Sequence, residues 1–333
     1  MQFLTTPQRL LNKRVYMIFI KNKFSIILLV ILLYYGTLID PTWAQPLSHL
    51  KLDANQVAWT RLSFHAKNFL VEVSTDVQLA SMPATDLDDV LLKSPKGKPI
   101  LPEKPKAAQM TINTIIDPVF RSEVSIHNQI WFNPADAATL GRIRLRRGDD
   151  DFKKTYRFTK QGVFRHRVEP KNKKEASFEP EKWSDINDSF YPYDLDRLGC
   201  SGVTESSLLI YIVSAAAASM QEDALSLCVF GKRQLHRVTL RNAGVFPINA
   251  SFIEKRQQAE THKEGLVKAL KIRLTSEPME SDLNEAENFS FLGFHKDISI
   301  YVDPSNGLPV QASGSIPTAG KATLKLKKVW LKN

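Results

Sequence analysis

A chain of 333 residues, 43% hydrophobic and 24% charged, has the composition of a soluble globular protein and the length for one large domain or two small ones. Its 14 Gly and 18 Pro are spread along the chain, which excludes collagen-like and solenoid architectures, and no heptad run is present. The formal net charge is +10 overall and +6 from Gln45 onward, by 40 Lys and Arg against 34 Asp and Glu, and the latter favours weak attraction to anionic surfaces such as lipid headgroups or cell-wall polymer.

At the start, Lys13, Arg14, Lys21 and Lys23 precede the apolar segment FSIILLVILLYY at 24–35, and the small residues Thr42 and Ala44 permit cleavage after Ala44. Residues 1–44 therefore read as a signal peptide, with translation starting at Met1 or at Met17. An uncleaved inner-membrane anchor over 24–39, marginal in length for a span, is the competing reading. Under either one, residues 45–333 are expected to form a single β-rich domain outside the cytoplasm, in the periplasm.

Leu62 and Phe64, then Val71 and Val73, alternate with polar neighbours and predict two strands joined near 66–68. The Lys- and Pro-rich stretch 93–106 cannot bury much and is expected to be a surface excursion. Strands follow at 110–116, 124–132, 142–146, 154–158 and 163–168, the last two forming a hairpin around Gln161-Gly162. In the basic segment RIRLRRGDD, 142–150, the arginines alternate with Ile143 and Leu145, the pattern of a strand with one solvated face. That pattern, with acids following at once, argues against nucleic acid as a partner. Residues 171–188 read as a charged loop pinned by Trp183.

The segment 200–240 organises the rest. Its run 208–220 is almost unbroken in apolar residues, and the block Ala215 to Ala218 favours a helix of about four turns, buried nearly all round and capped by Ser201 or Thr204. Such a helix must be covered, and the strands after it are the nearest cover. In an oxidising compartment Cys200 and Cys228 are expected to form a disulfide, with two buried free thiols as the alternative. Further strands are read at 235–240, 268–275 and 298–302, with Leu270, Ile272, Leu274 and Ile298, Ile300, Val302 inward, and an acidic excursion at 277–288. Asp303 to Gly307 and Ala319-Gly320 are turns, and Ala322, Leu324 and Leu326 face a core while Lys321, Lys325 and Lys327 face water. Many strands, short turns and one apolar helix predict a mainly β fold, a curved antiparallel sheet or open half-barrel with the helix against it.

The segments GKRQLHRV (231–238), DPSNGLPV (303–310) and GKATLKL (320–326), with YRFTKQGVFRHRVEP (156–170) less closely, resemble the DUF3108 superfamily of exported bacterial proteins and its DUF6134-like relatives. The resemblance implies a bacterial envelope location and a half-barrel with a helix on its concave face. It carries over no catalytic residue, and the excursions at 93–106 and 277–288 depart from it.

Chemistry-bearing motifs are sparse. None of the seven His falls at metal-ligand spacing, and His127 near Trp131 reads as a structural strand residue. Ser201 lacks the GxSxG frame of a nucleophile elbow, and Asp149 to Asp151 read as a solvated turn rather than a Ca²⁺ loop. No catalytic residue, metal site or cofactor is assigned. The expectation is an exported binding or carrier protein for a lipid or other apolar or amphipathic envelope molecule, with Leu209, Ile212 and Val213 lining its site. A non-enzymatic scaffold with an envelope protein partner is the alternative.

Overall fold

Fifteen strands in one mixed sheet make up most of the computed structural model, which describes residues 51–102, 106–221, 224–280, 289–317 and 320–332. All of these belong to one compact unit, Pro46–Asn333. The signal peptide or anchor, most of the acidic excursion and the turn residue Ala319 lie outside the described residues.

The first eight strands follow one another in space as in sequence: β1 (Trp59–Lys67), β2 (Val71–Pro83), β3 (Lys106–Pro118), β4 (Val124–Phe132), β5 (Thr139–Arg147), β6 (Phe152–Thr159), β7 (Gly162–Glu169) and β8 (Asp185–Pro192). The remaining strands return from β1 in reverse order: β15 (Gly320–Leu331), β14 (Leu308–Ile316), β13 (Lys296–Asp303), β12 (Ala259–Pro278), β11 (Leu235–Arg256), β10 (Leu225–Phe230) and β9 (Thr204–Glu205). Nearly every neighbour is antiparallel, as short turns require. Two pairings are parallel, β9 with β10 and, beyond the end of β14, Ile253 to Lys255 of β11 with Lys328 to Trp330 of β15. The second turns β11 to β15 back on themselves.

The apolar run at 208–220 lies in the main core, but its α-helix covers only Leu209–Ala215, about two turns rather than four, between 3-10 turns at Ser206–Leu208 and Ser219–Gln221. Ser214 lies in its last turn. Its hydroxyl donates to the Ile210 carbonyl at 3.0 Å and accepts from Trp59 Nε1 at 3.0 Å, which ties that turn to β1. Its own carbonyl faces Gly307, where an added Cβ would lie 2.7 Å away and φ is +66°, so only glycine fits that turn. Tyr211 packs edge-on to Phe132 at 4.9 Å and donates to the Pro134 carbonyl. The expected caps Ser201 and Thr204 do not act. Thr204 is in β9, and the Glu205 carboxylate accepts from Ser207 N instead.

Cys200 and Cys228 form a disulfide with Cα atoms 6.0 Å apart, joining the chain ahead of the buried helix to β10. It lies in a second core with Tyr156, Phe158, Val163, Tyr193 and Phe230.

Three strand assignments change. β8 starts within the segment read as a loop, and β11 and β12 run 22 and 20 residues, far beyond 235–240 and 268–275. The added length carries little apolar alternation, because most of its residues are exposed on both faces. Trp183 is the pin expected of it, buried, donating to the Glu175 carbonyl and stacked by Arg147.

A candidate anion-binding face

Directly paired residues of antiparallel strands project to the same side of a sheet, so the register of β1 to β8 can be read as rows. One row runs Leu62, Val77, Ile112, Asn128, Arg144, Lys154, Arg167, Asn187. The row on one side of it runs Phe64, Thr75, Thr114, Ile126, Arg146, Phe152. On the other side runs Leu79, Met110, Ile130, Arg142, Tyr156, Arg165, Ser189. Leu62, Phe64, Val77, Met110, Ile112 and Ile130 belong to the main core with the helix. The inner face of the sheet is therefore apolar over β1 to β4 and cationic over β5 to β7.

This overturns the expectation for 142–150. The arginines take the inner face, half-buried, and Ile143 and Leu145 take the other. Period two announces alternation but does not say which side is inward, and Lys154, Arg165 and Arg167 join the arginines only through pairing.

Six cations thus share three adjacent strands, and three carboxylates meet them. Glu205, 1% exposed, pairs with Arg142 at 2.8 Å, Asp150 with Arg146 at 3.6 Å, and Glu169 with Arg167. Arg165 donates to Asn187 and Ser189. Arg144 and Lys154 have no acidic partner among the described residues, and with Arg167 they crowd the ring of Phe152, Lys154 at 3.9 Å from its centroid. The Nε–H groups of Arg142, Arg144, Arg146, Arg165 and Arg167 are shielded from solvent and have no acceptor among the described residues. Burial, reinforced by Arg142, lowers the Arg144 guanidinium to about 10. Burial, then the charges of Arg167, Arg144 and Arg165, lowers Lys154 to about 7. A face built this way stabilises negative charge brought to it, because each free donor and each like-charge repulsion is relieved by an anion.

At the end of the sheet that carries the β1–β2 turn, a groove of about 430 Å³ runs between Ala66, Val71, Val73, Phe294 and Leu324, with Lys67, Lys321 and Lys325 among its lining. Its size is that of a small-ligand site.

The residues expected to line a site, Leu209, Ile212 and Val213, lie together in the main core, each 0% exposed. His127 shares a hydrogen bond with Asn113 on the outer face, away from the arginines. Asp150 and Asp151 pair with Arg146 and Arg147 in the turn after β5. No group of His, Cys, Asp or Glu suited to a metal occurs among the described residues, and no helix among them is long and apolar enough to cross a membrane.

No protein-family profile and no curated protein sequence matches this chain. Among solved structures it is similar to a beta-barrel-like protein of the domain of unknown function DUF1849 from Brucella abortus, with a TM-score of 0.41 and 7% identity over 83% of this chain and 99% of that one.

Proposed function

We propose that this chain is an exported, non-enzymatic binding protein of the bacterial envelope that holds an anionic amphipathic molecule, its acidic group against the inner face of β5 to β7. The observation that carries this reading is the set of five solvent-shielded arginine Nε donors with no acceptor among the described residues, beside Lys154, which has no ion-pair partner among them. Unsatisfied buried donors cost free energy, and native proteins retain few of them without a purpose. The groove at the β1–β2 end, lined by Ala66, Val71, Val73 and Leu324 and by no residue of β5 to β7, is read as the seat of the ligand's apolar portion. The basic leader-like segment at 13–35 and the resemblance of the C-terminal half to exported proteins support the location.

The test is to purify the protein from its native envelope and identify extracted small molecules by mass spectrometry. An acidic amphiphile should accompany the wild type in stoichiometric amount and be lost from Arg144→Gln/Lys154→Gln, which should melt no lower than the wild type because it removes two crowded like charges. Protein that carries nothing, or a variant that carries as much as the wild type, sinks the reading. Full burial of Leu209, Ile212 and Val213 favours a second reading, a scaffold whose helix only fills the core. That reading expects ligand-free protein recovered with an envelope protein in fixed ratio.

A further inference from the structure

Two neighbouring turns present apolar side chains where turn chemistry favours Gly, Pro, Asn, Asp or Ser. In the β1–β2 turn, the Asn68 side chain accepts from Leu70 N at 2.8 Å and Val71 N at 2.9 Å, a closed Asx turn that leaves Phe69 outside. In the β3–β4 turn, Arg121 N donates to the Pro118 carbonyl, and Val119 and Phe120 take the tip. Val119 N donates to the Leu70 carbonyl at 3.0 Å, so the two tips are tied together. Phe69 and Phe120 are each 84% exposed and Val119 is 62% exposed. A single exposed apolar residue is ordinary, but three on adjoining tips with the turn backbone already bonded form a surface prepared to leave water.

Cations gather on the groove side of the tips. Lys67 and Arg121 flank them, and Lys321, Lys325 and Lys327 line the groove that begins at Lys67 and Asn68. Of the nearby acids, Glu72 is held by Lys67 at 2.6 Å and His65 at 2.9 Å, while Asp117, Glu123 and, beside Glu123 in the β5–β6 turn, Asp149 are exposed and lie away from the groove lysines.

We infer that the β1–β2 and β3–β4 turns dock this protein on an anionic lipid bilayer, with Phe69, Val119 and Phe120 entering the interface and the lysines meeting the headgroups. Apolar tips beside cations are the combination that interfacial binding needs, because partitioning grows with buried apolar area and with attraction to acidic lipid. The inference is independent of the ligand reading. If both hold, docking presents the mouth of the groove to the membrane.

The experiment uses the full chain with a nitroxide label on Phe120→Cys and, separately, on Lys160→Cys in the exposed β6–β7 turn at the opposite end of the sheet. The native disulfide is buried and stays out of the labelling. On vesicles of mixed zwitterionic and anionic phospholipid, the Phe120 label should gain accessibility to oxygen and lose it to a water-soluble relaxant, while the Lys160 label stays aqueous. Because the readout is local, binding through the apolar segment at 24–35 does not imitate it. Phe69→Ser/Phe120→Ser should weaken insertion of a label at Val119→Cys about tenfold or more. A Phe120 label that stays in water on vesicles overturns the inference. So does one immobilised only by raising the protein concentration without lipid, which would make the tips an interface between copies of the chain.

Discussion

Lys154 and Arg144 show what a half-buried cation does when its neighbours carry the same sign. Lys154 falls from its ordinary 10.5 to about 7 through burial and the charges of Arg167, Arg144 and Arg165. The unfolded chain therefore binds more protons than the folded one between about pH 7 and 10.5, and this group's contribution to stability rises with pH through that window. Its penalty is fully present below about pH 7. An anion seated among these residues reverses the shift, so binding should take up a proton between about pH 7 and 9. Calorimetry in two buffers of different ionisation enthalpy measures the uptake, and Lys154→Met should abolish it. Unchanged uptake in that variant would assign the proton elsewhere. The cations themselves were readable from the sequence, but their convergence was not, since Arg144, Lys154 and Arg167 meet only across three paired strands.

At the scale of elements, the buried helix and the disulfide carry separate loads. Ile212→Asp places a carboxylate among the apolar side chains of the main core and should destabilise the fold by about 3 kcal/mol or more, whereas Lys325→Asp on the exposed side of β15 should stay within about 0.5 kcal/mol. Equal thermal midpoints for the two would contradict the placement of the helix. Cys200→Ala/Cys228→Ala opens a link across 28 residues and should cost about 2 to 4 kcal/mol in denaturant unfolding. Non-reducing peptide mapping should recover the two cysteine peptides joined in the native protein. The position of the helix was legible because an apolar run of that density must be covered. Its length was not, because the run stays apolar past Ala215 and the contacts that hold its last turn, Trp59 on Ser214 among them, come from far along the chain.

Across the whole molecule, the inner face passes from apolar at β1 to β4 to cationic at β5 to β7, while the net charge is +10. A ligand held by that face should bind less tightly as ionic strength rises from about 0.01 M to about 0.5 M, with a neutral analogue of the same apolar portion insensitive to salt. Titrations of acidic and neutral amphiphiles across that range make the comparison. Equal salt dependence for both would remove the cationic face from recognition.

Local patterning determined most of the elements. Alternation placed the strands whose one side is buried, turn residues placed the hairpins, and the apolar run placed the helix, because each depends on neighbours within a few residues. The two cysteines also indicated their own pairing, since no other thiol exists to compete. Only the tertiary structure decided which face of β5 turns inward, that β11 and β12 extend through residues without apolar alternation, and that β11 meets β15 in parallel. These rest on contacts between segments far apart in the chain, and period-two alternation is unchanged when a strand is turned over, so no local pattern could choose between the two sides.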